Sequence, residues 1–269
     1  MGLDHLLLLA AIQGITEFVP VSSSGHLQLV HGLTAYPDHG LVIDVALHAG
    51  TLLAVMAYFH RDVRLMLMGA RDLARRQASS SAHLMRVLAI ASLPVLLAGA
   101  ALVLSGATDR LRAPEIVAWA SIVFAIPLWL ADRKAPPAAS ETEPPTPVSS
   151  RQALLIGLAQ MLALIPGASR AGVTIMAGLF LGFDRTQAAR FSMLLAMPVI
   201  AAFALVGLVD LLQSGAYQAL GTALFAAVLA GLFAFVTIHL FLKMTRRIGL
   251  LPFVIYRIGL GIGLLFLLG

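Results

Sequence analysis

A glutamate, a run of three serines and a histidine lie within ten residues of one another near the amino terminus: Gln13-Gly-Ile-Thr-Glu17-Phe-Val-Pro20-Val-Ser22-Ser23-Ser24-Gly25-His26. About 140 residues later comes Pro166-Gly167-Ala168-Ser169-Arg170-Ala171-Gly172-Val173-Thr174. Together they supply a carboxylate, an imidazole, a guanidinium and several hydroxyls. An ionisable side chain at membrane depth costs roughly 2.5–3.5 kcal/mol on insertion scales, so such a set signals function. After each proline a serine stands where it can cap a restarting helix: Ser22 or Ser23 in the first stretch, Ser169 in the second. Two capped half-helices would aim free N–H groups and partial positive charge inward, the arrangement that binds phosphate. Arg170 adds a planar fork matched to phosphate oxygens.

Anion binding alone would suit a carrier. Glu17 and His26 go further. Glu17 can help hold a divalent cation, or orient His26 and set its tautomer. Gln13, one helical turn earlier, shares a face with Glu17 and is the second candidate metal ligand. His26 can attack phosphorus or act as general acid or base, and Ser23 is the competing nucleophile. These residues leave the two roles open. The rival reading is a polyprenyl-phosphate flippase or an anion transporter built on the same cradle; a carrier has no need of a nucleophile or a proton donor.

The elements that must carry these residues are membrane helices. Of 269 residues 59% are hydrophobic and 12% charged, against about 25% charged in a soluble domain. The mean hydropathy is +0.92. Cysteine is absent, which removes disulfides and thiolate ligands. The net charge of +5 fits arginine-rich cytoplasmic loops rather than a nucleic-acid partner. No cleavable signal is read in residues 1–11.

Six segments are long and apolar enough to cross: about Leu41–Phe59, Leu84–Ser105, Pro114–Ala131, Thr186–Leu212, Tyr217–Leu242 and Leu251–Leu268. The stretches Leu3–Ala35 and Gln152–Gly182 are each cut by proline and small polar residues into pieces too short to span, which predicts two re-entrant hairpins. The expected fold is an all-α polytopic membrane protein, six spans plus two re-entrant helical hairpins. A hairpin followed by three spans occurs twice, in 1–132 and 152–269, around the proline-rich linker 133–151 that holds Pro136, Pro137, Pro144, Pro145, Pro147, Glu141 and Glu143. An odd number of spans per half makes this an inverted repeat. Placing Pro20 on Pro166 puts Ser23 on Ser169 and Ser24 on Arg170. Fourteen of the eighteen lysines and arginines fall on one predicted face, Arg110 and Arg112 on the other, and Arg170 and Arg257 inside apolar segments. The basic face is cytoplasmic by the positive-inside rule. His31, His48 and His239 read as packing or interfacial residues, Arg257 as snorkelling or paired internally, and Gly259-x-x-x-Gly263 as a close-packing surface.

The two motifs, in this order, with Phe191-Ser192-Met-Leu-Leu-Ala-Met-Pro198 downstream, resemble the bacterial undecaprenyl-diphosphate phosphatase (bacitracin-resistance) family over nearly the whole chain. The resemblance implies hydrolysis of undecaprenyl diphosphate to the monophosphate in the bacterial inner membrane, recycling the carrier lipid for cell-wall synthesis. It also implies a divalent cation, Mg2+ or Ca2+, and a pocket open to the periplasm. Glu17, Ser23, His26 and Arg170 match the family's catalytic set, with Ser22, Ser24, Ser169 and Thr174 as phosphate contacts. Two positions depart from the family pattern: Gln13 replaces a common glutamate, removing an anionic ligand, and Ala171 replaces a common serine. The expected partners are the lipid substrate and membrane lipids, with no nucleic acid; a homodimer is admitted, though no residue argues for it.

Overall fold

The computed structural model describes residues 2–33, 40–106, 111, 113–137, 147–214 and 220–268. Among them every regular element is helical. In chain order these are α1 (Leu3–Thr16), α2 (Ser23–Leu33), α3 (Gly40–Tyr58), α4 (His60–Ala74), α5 (Ser80–Leu104), α6 (Pro114–Arg133), α7 (Ser150–Gln160), α8 (Arg170–Phe180), α9 (Arg185–Ser214), α10 (Leu220–Ile248) and α11 (Leu251–Leu268). Six helices are long and apolar enough to cross a membrane: α3, α5, α6, α9, α10 and α11. They match the six segments expected from sequence, and the described part of the fifth begins at Leu220. Helices suit this sequence because a lipid-facing backbone must satisfy its own polar groups, and a helix does so within one segment. Pro94, Pro127 and Pro198 sit inside three of the spans without ending them.

The two motif-bearing stretches are helix–break–helix elements: α1 and α2 around residues 17–22, and α7, a 3-10 turn (Met161–Leu164) and α8 around 165–169. Each first arm lies against a span from the other half of the chain, α1 on α10 and α7 on α5. Glycine sets both distances. A Cβ on Gly14 would stand 2.6 Å from the Ala230 carbonyl oxygen, and one on Gly157 2.6 Å from that of Ala91. Both approaches exclude any side chain. Helices α3 and α9 pack on each other, as do α6 and α11.

Two expectations need correcting. Residues 60–74 read as part of an arginine-rich connection but form the amphipathic helix α4. Its inward side combines the buried Asp62 and Asp72 with Val63 and Met66, which pack against the core. Asp62 ion-pairs with Arg190 of α9, and Asp72 accepts from Ser79 Oγ at 2.6 Å. On α11, Gly259 and Gly263 have nothing within 4 Å of a built Cβ. The close approach is made by Gly261, whose Cβ would meet the Ala118 carbonyl oxygen of α6 at 2.6 Å. Pro144, Pro145, Glu141 and Glu143 of the linker, and Arg110 and Arg112, lie outside the described residues.

Candidate active site

The two breaks are built alike. Each ends on a serine in the left-handed backbone region, Ser22 with φ 74° and Ser169 with φ 72°. Each serine hydroxyl accepts from the backbone N–H three residues on, Gly25 at 3.3 Å and Gly172 at 3.1 Å, which caps one of the orphan donors of the new helix. The equivalence is therefore Ser22 with Ser169 and Ser23 with Arg170. The register read from the prolines, Ser23 on Ser169 and Ser24 on Arg170, is off by one, because one residue (Val21) separates proline from cap in the first break and two (Gly167 and Ala168) in the second. In the corrected frame Gln13 also falls on Gln160, and both are fully buried.

The tips touch. Ser22 Oγ accepts from the N–H of Gly167 at 3.2 Å. Gly167 has φ 91°, and a Cβ there would meet the Val117 carbonyl oxygen at 2.6 Å, so only glycine fits. Beneath both tips lies Arg257 of α11, fully buried. Its guanidinium donates to the carbonyls of Pro20 (3.1 Å) in the first tip and of Gly167 (3.0 Å) and Ala168 (2.9 Å) in the second. It also donates to Ala120 and Ser121 of α6, at 3.2 Å each. The internal pairing expected of Arg257 is thus with carbonyls, and it fixes one tip against the other.

Gln13, Ser23 and Arg170 converge on the Glu17 carboxylate, and His26 has its partners elsewhere. Oε2 accepts from Ser23 Oγ at 2.5 Å and from Gln13 Nε2 at 3.1 Å; Oε1 accepts from Arg170 Nη2 at 3.3 Å. Arg170 also donates to the Ser192 carbonyl at 3.1 Å. The carboxylate partner of Arg170 is thus Glu17. Thr174 is buried behind Arg170, its hydroxyl bonded to the Arg170 carbonyl (2.8 Å) and to Ser192 Oγ (2.7 Å). Ser24 is exposed, with its hydroxyl 3.4 Å from that of Ser22. Ser22, Ser169 and Thr174 spend their hydroxyls on the frame, which leaves Arg170 and the backbone N–H groups of the helix starts as the groups that could bind an anion.

His26 stands one helical turn into α2. Its Nδ1 is 2.7 Å from the Ser22 carbonyl and its Nε2 is 2.6 Å from the Tyr256 hydroxyl. Two neighbours have no place in the site as read from sequence. Tyr256 is one; its place beside an intramembrane arginine was the available signal. His48 is the other: it was assigned to packing, yet its Nε2 lies 3.8 Å from Glu17 Oε2, with Nδ1 on the Asp44 carbonyl at 2.8 Å. The residues around His48 are those of an apolar span and carry no local mark of this role. His239 keeps an aromatic neighbourhood beside Tyr58, and the side chain of His31 lies outside the described residues.

For a divalent cation the donor set is Glu17 with Gln13. Gln13 Oε1 is buried and has no hydrogen-bond partner among the described residues, an orphan oxygen of the kind that hard cations take. Among the described residues no cluster of three acidic or histidine side chains stands ready to enclose one. A cation bound here would take its remaining ligands from substrate oxygens and water.

With this geometry in hand the chain can be set beside known proteins. It is 44% identical over 268 residues to the undecaprenyl-diphosphatase of Maricaulis maris, covering 98% of both chains. It is 44% identical over 266 residues to that of Ruegeria pomeroyi, again at 98% of each, and 45% identical over 275 residues to that of Teredinibacter turnerae, at 97% and 98%. The family model for bacitracin resistance protein BacA matches residues 6–263. A break whose carboxylate holds a serine, joined to a second break that supplies an arginine, is thus the centre of a member of the bacitracin resistance protein BacA family.

Proposed function

We propose that this chain hydrolyses undecaprenyl diphosphate to undecaprenyl phosphate and inorganic phosphate. The observation that carries the reading is the bonded chain Ser23–Glu17–Arg170 across the two tips. It links a hydroxyl nucleophile, a base and an anion-binding fork. A carrier would use the fork and the N–H groups, and gives no reason for a serine held at 2.5 Å from a buried carboxylate.

In the order of steps the geometry favours, the terminal phosphate enters the cradle and draws Arg170 off Glu17 Oε1. Glu17 then takes the Ser23 proton as the Ser23 Oγ–phosphorus bond forms and the bond from phosphorus to the bridging oxygen breaks. Undecaprenyl phosphate leaves. Water next attacks the phosphoserine while His26 takes a proton from it through Nε2; the bond from phosphorus to Ser23 Oγ breaks, Glu17 returns its proton to Oγ, and inorganic phosphate departs. The N–H groups at the starts of α2 and α8 and the guanidinium of Arg170 stabilise the charge that gathers on the phosphoryl oxygens. A divalent cation held by Glu17 and Gln13, Mg2+ or Ca2+, supplies further charge neutralisation when bound. The lipid tail suits the apolar cavity of about 720 Å3 beside α1, lined by Ile15, Val19, Leu229, Phe233, Val236 and Phe253.

The chain belongs in a bacterial inner membrane, in the orientation that leaves its arginine-rich connections in the cytoplasm. Both breaks are the turns of re-entrant hairpins, and the halves 1–132 and 152–269 form an inverted repeat around the cytoplasmic linker 133–151. The matched caps and the reciprocal packing of α1 on α10 and α7 on α5 support this. The tips then meet within the membrane, reached from the periplasm.

Phosphate release from undecaprenyl diphosphate by purified protein in detergent, with and without chelator, tests the reaction. No release under any cation sinks it, and passage of labelled polyprenyl phosphate across vesicles by the same preparation would install the carrier. For orientation, Ser105→Cys should react with an impermeant thiol reagent in intact spheroplasts while Arg75→Cys should not. The reverse pattern overturns the assignment.

A further inference from the structure

The Ser22 carbonyl can only accept, so the 2.7 Å contact places a proton on His26 Nδ1. In the neutral ring Nε2 then carries the lone pair, and the group facing it at 2.6 Å is the Tyr256 hydroxyl. The phenol donates that bond. The rings lie nearly parallel, 10° apart, with centroids at 5.6 Å. Nδ1 is committed to the backbone, so Nε2 is the only ring atom free for proton transfer, and Tyr256 holds it. Tyr256 is also partly open, with 46% of its surface accessible, while its neighbour Arg257 anchors the same turn of α11 to both tips. A rigid attachment on one side and an accessible phenol on the other is a geometry for a group that must let go.

We propose that Tyr256 is a positioning residue for His26: its hydroxyl caps Nε2 in the resting enzyme, fixes the ring orientation of the tautomer that the Ser22 carbonyl selects, and passes to a phosphate oxygen when substrate displaces it. A phenol suits both duties. It donates to neutral imidazole, accepts from imidazolium, and donates to phosphate. No bond other than hydrogen bonds changes in the exchange. The functional half of this inference rests on the phosphatase reading; the cap itself does not.

The test uses full-length protein in detergent and the variant Tyr256→Phe, which keeps the ring and removes the hydroxyl. Diethyl pyrocarbonate reacts with an uncovered imidazole nitrogen, and mass spectrometry of the His26 peptide reads its rate of modification. Losing one hydrogen bond should raise that rate about three- to tenfold, with His48 in the same samples unchanged. With undecaprenyl diphosphate, kcat should fall about three- to tenfold while KM stays within about twofold, because the hydroxyl trades one partner for another on binding and contributes as charge develops. Equal labelling of parent and variant overturns the cap. Faster labelling with unaltered kcat overturns the positioning role and leaves a shield. A parent that releases no phosphate would strike down the phosphatase reading, and the labelling comparison would still decide whether the phenol covers Nε2.

Discussion

The first and second breaks share a frame and divide the chemistry. Both end on a serine cap at positive φ, both place glycine three residues on, and both have a buried glutamine nine residues before the cap. In that frame Ser23 corresponds to Arg170, Glu17 to Leu164, and His26 to Val173. On the proposed mechanism the first break holds the nucleophile, base and proton carrier, and the second holds the arginine fork. The two breaks share a backbone form, and what separates them is their side chains. The difference also explains why both tips are locked together by Arg257: reactive groups on one and the anion fork on the other work only at fixed separation.

If the first break is the reactive one, the largest loss should come from its acid–base pair. Glu17→Gln should lower kcat by about 10²–10⁴, the range of a positioned general base. Ser23→Ala should match it, and the double variant should be little worse than either, since the two act as a unit. Additive losses would separate the serine from the carboxylate and point to His26 as nucleophile. His26→Ala should lower kcat more than it raises KM.

The second break should answer differently. Arg170→Lys keeps the charge but loses the fork, and kcat/KM should fall on the order of 10²–10³. A value within about threefold of the parent would remove the arginine from the cradle.

The clamp between the tips is tested by stability as well as rate. Arg257→Met leaves three tip carbonyls (Pro20, Gly167 and Ala168) without this donor, at about 1–3 kcal/mol each if they stay buried. Thermal unfolding in detergent should shift down by several degrees, and Arg257→Lys should restore part of the loss. An unshifted melting curve would show the tips to be held by other contacts.

The caps offer a finer contrast. Ser169→Ala removes one cap bond, about 1 kcal/mol. Ser22→Ala removes the acceptor for both Gly25 and Gly167 N–H groups and should cost about twice as much. Equal costs would mean the cross-tip bond contributes nothing. The smallest expected effect is on cation demand: Gln13→Glu adds a carboxylate one turn from Glu17 and should lower the cation concentration for half-maximal activity a few-fold. No change would place the cation elsewhere, with the hydrolase reading intact.

Much of this was legible in the residues. Six spans follow from long apolar runs, because length and hydropathy are local properties that the bilayer thickness selects. The breaks follow from Pro20 and Pro166 with their serines, since proline ends a helix and a hydroxyl starts one. Glu17, Ser23, His26 and Arg170 stood out because polar chemistry in an apolar chain is conspicuous. Tertiary structure decided what no local rule could. It set the repeat register by backbone φ at Ser22 and Ser169, where prolines had misled by one residue. It buried Asp62 of α4, for which Arg190, 128 residues away, supplies the partner. It brought His48 and Tyr256 to the site from helices whose own sequences look like ordinary packing. Contacts over such separations depend on how the helices are laid side by side, and a single chain of letters records the composition of each face but not which face it will meet.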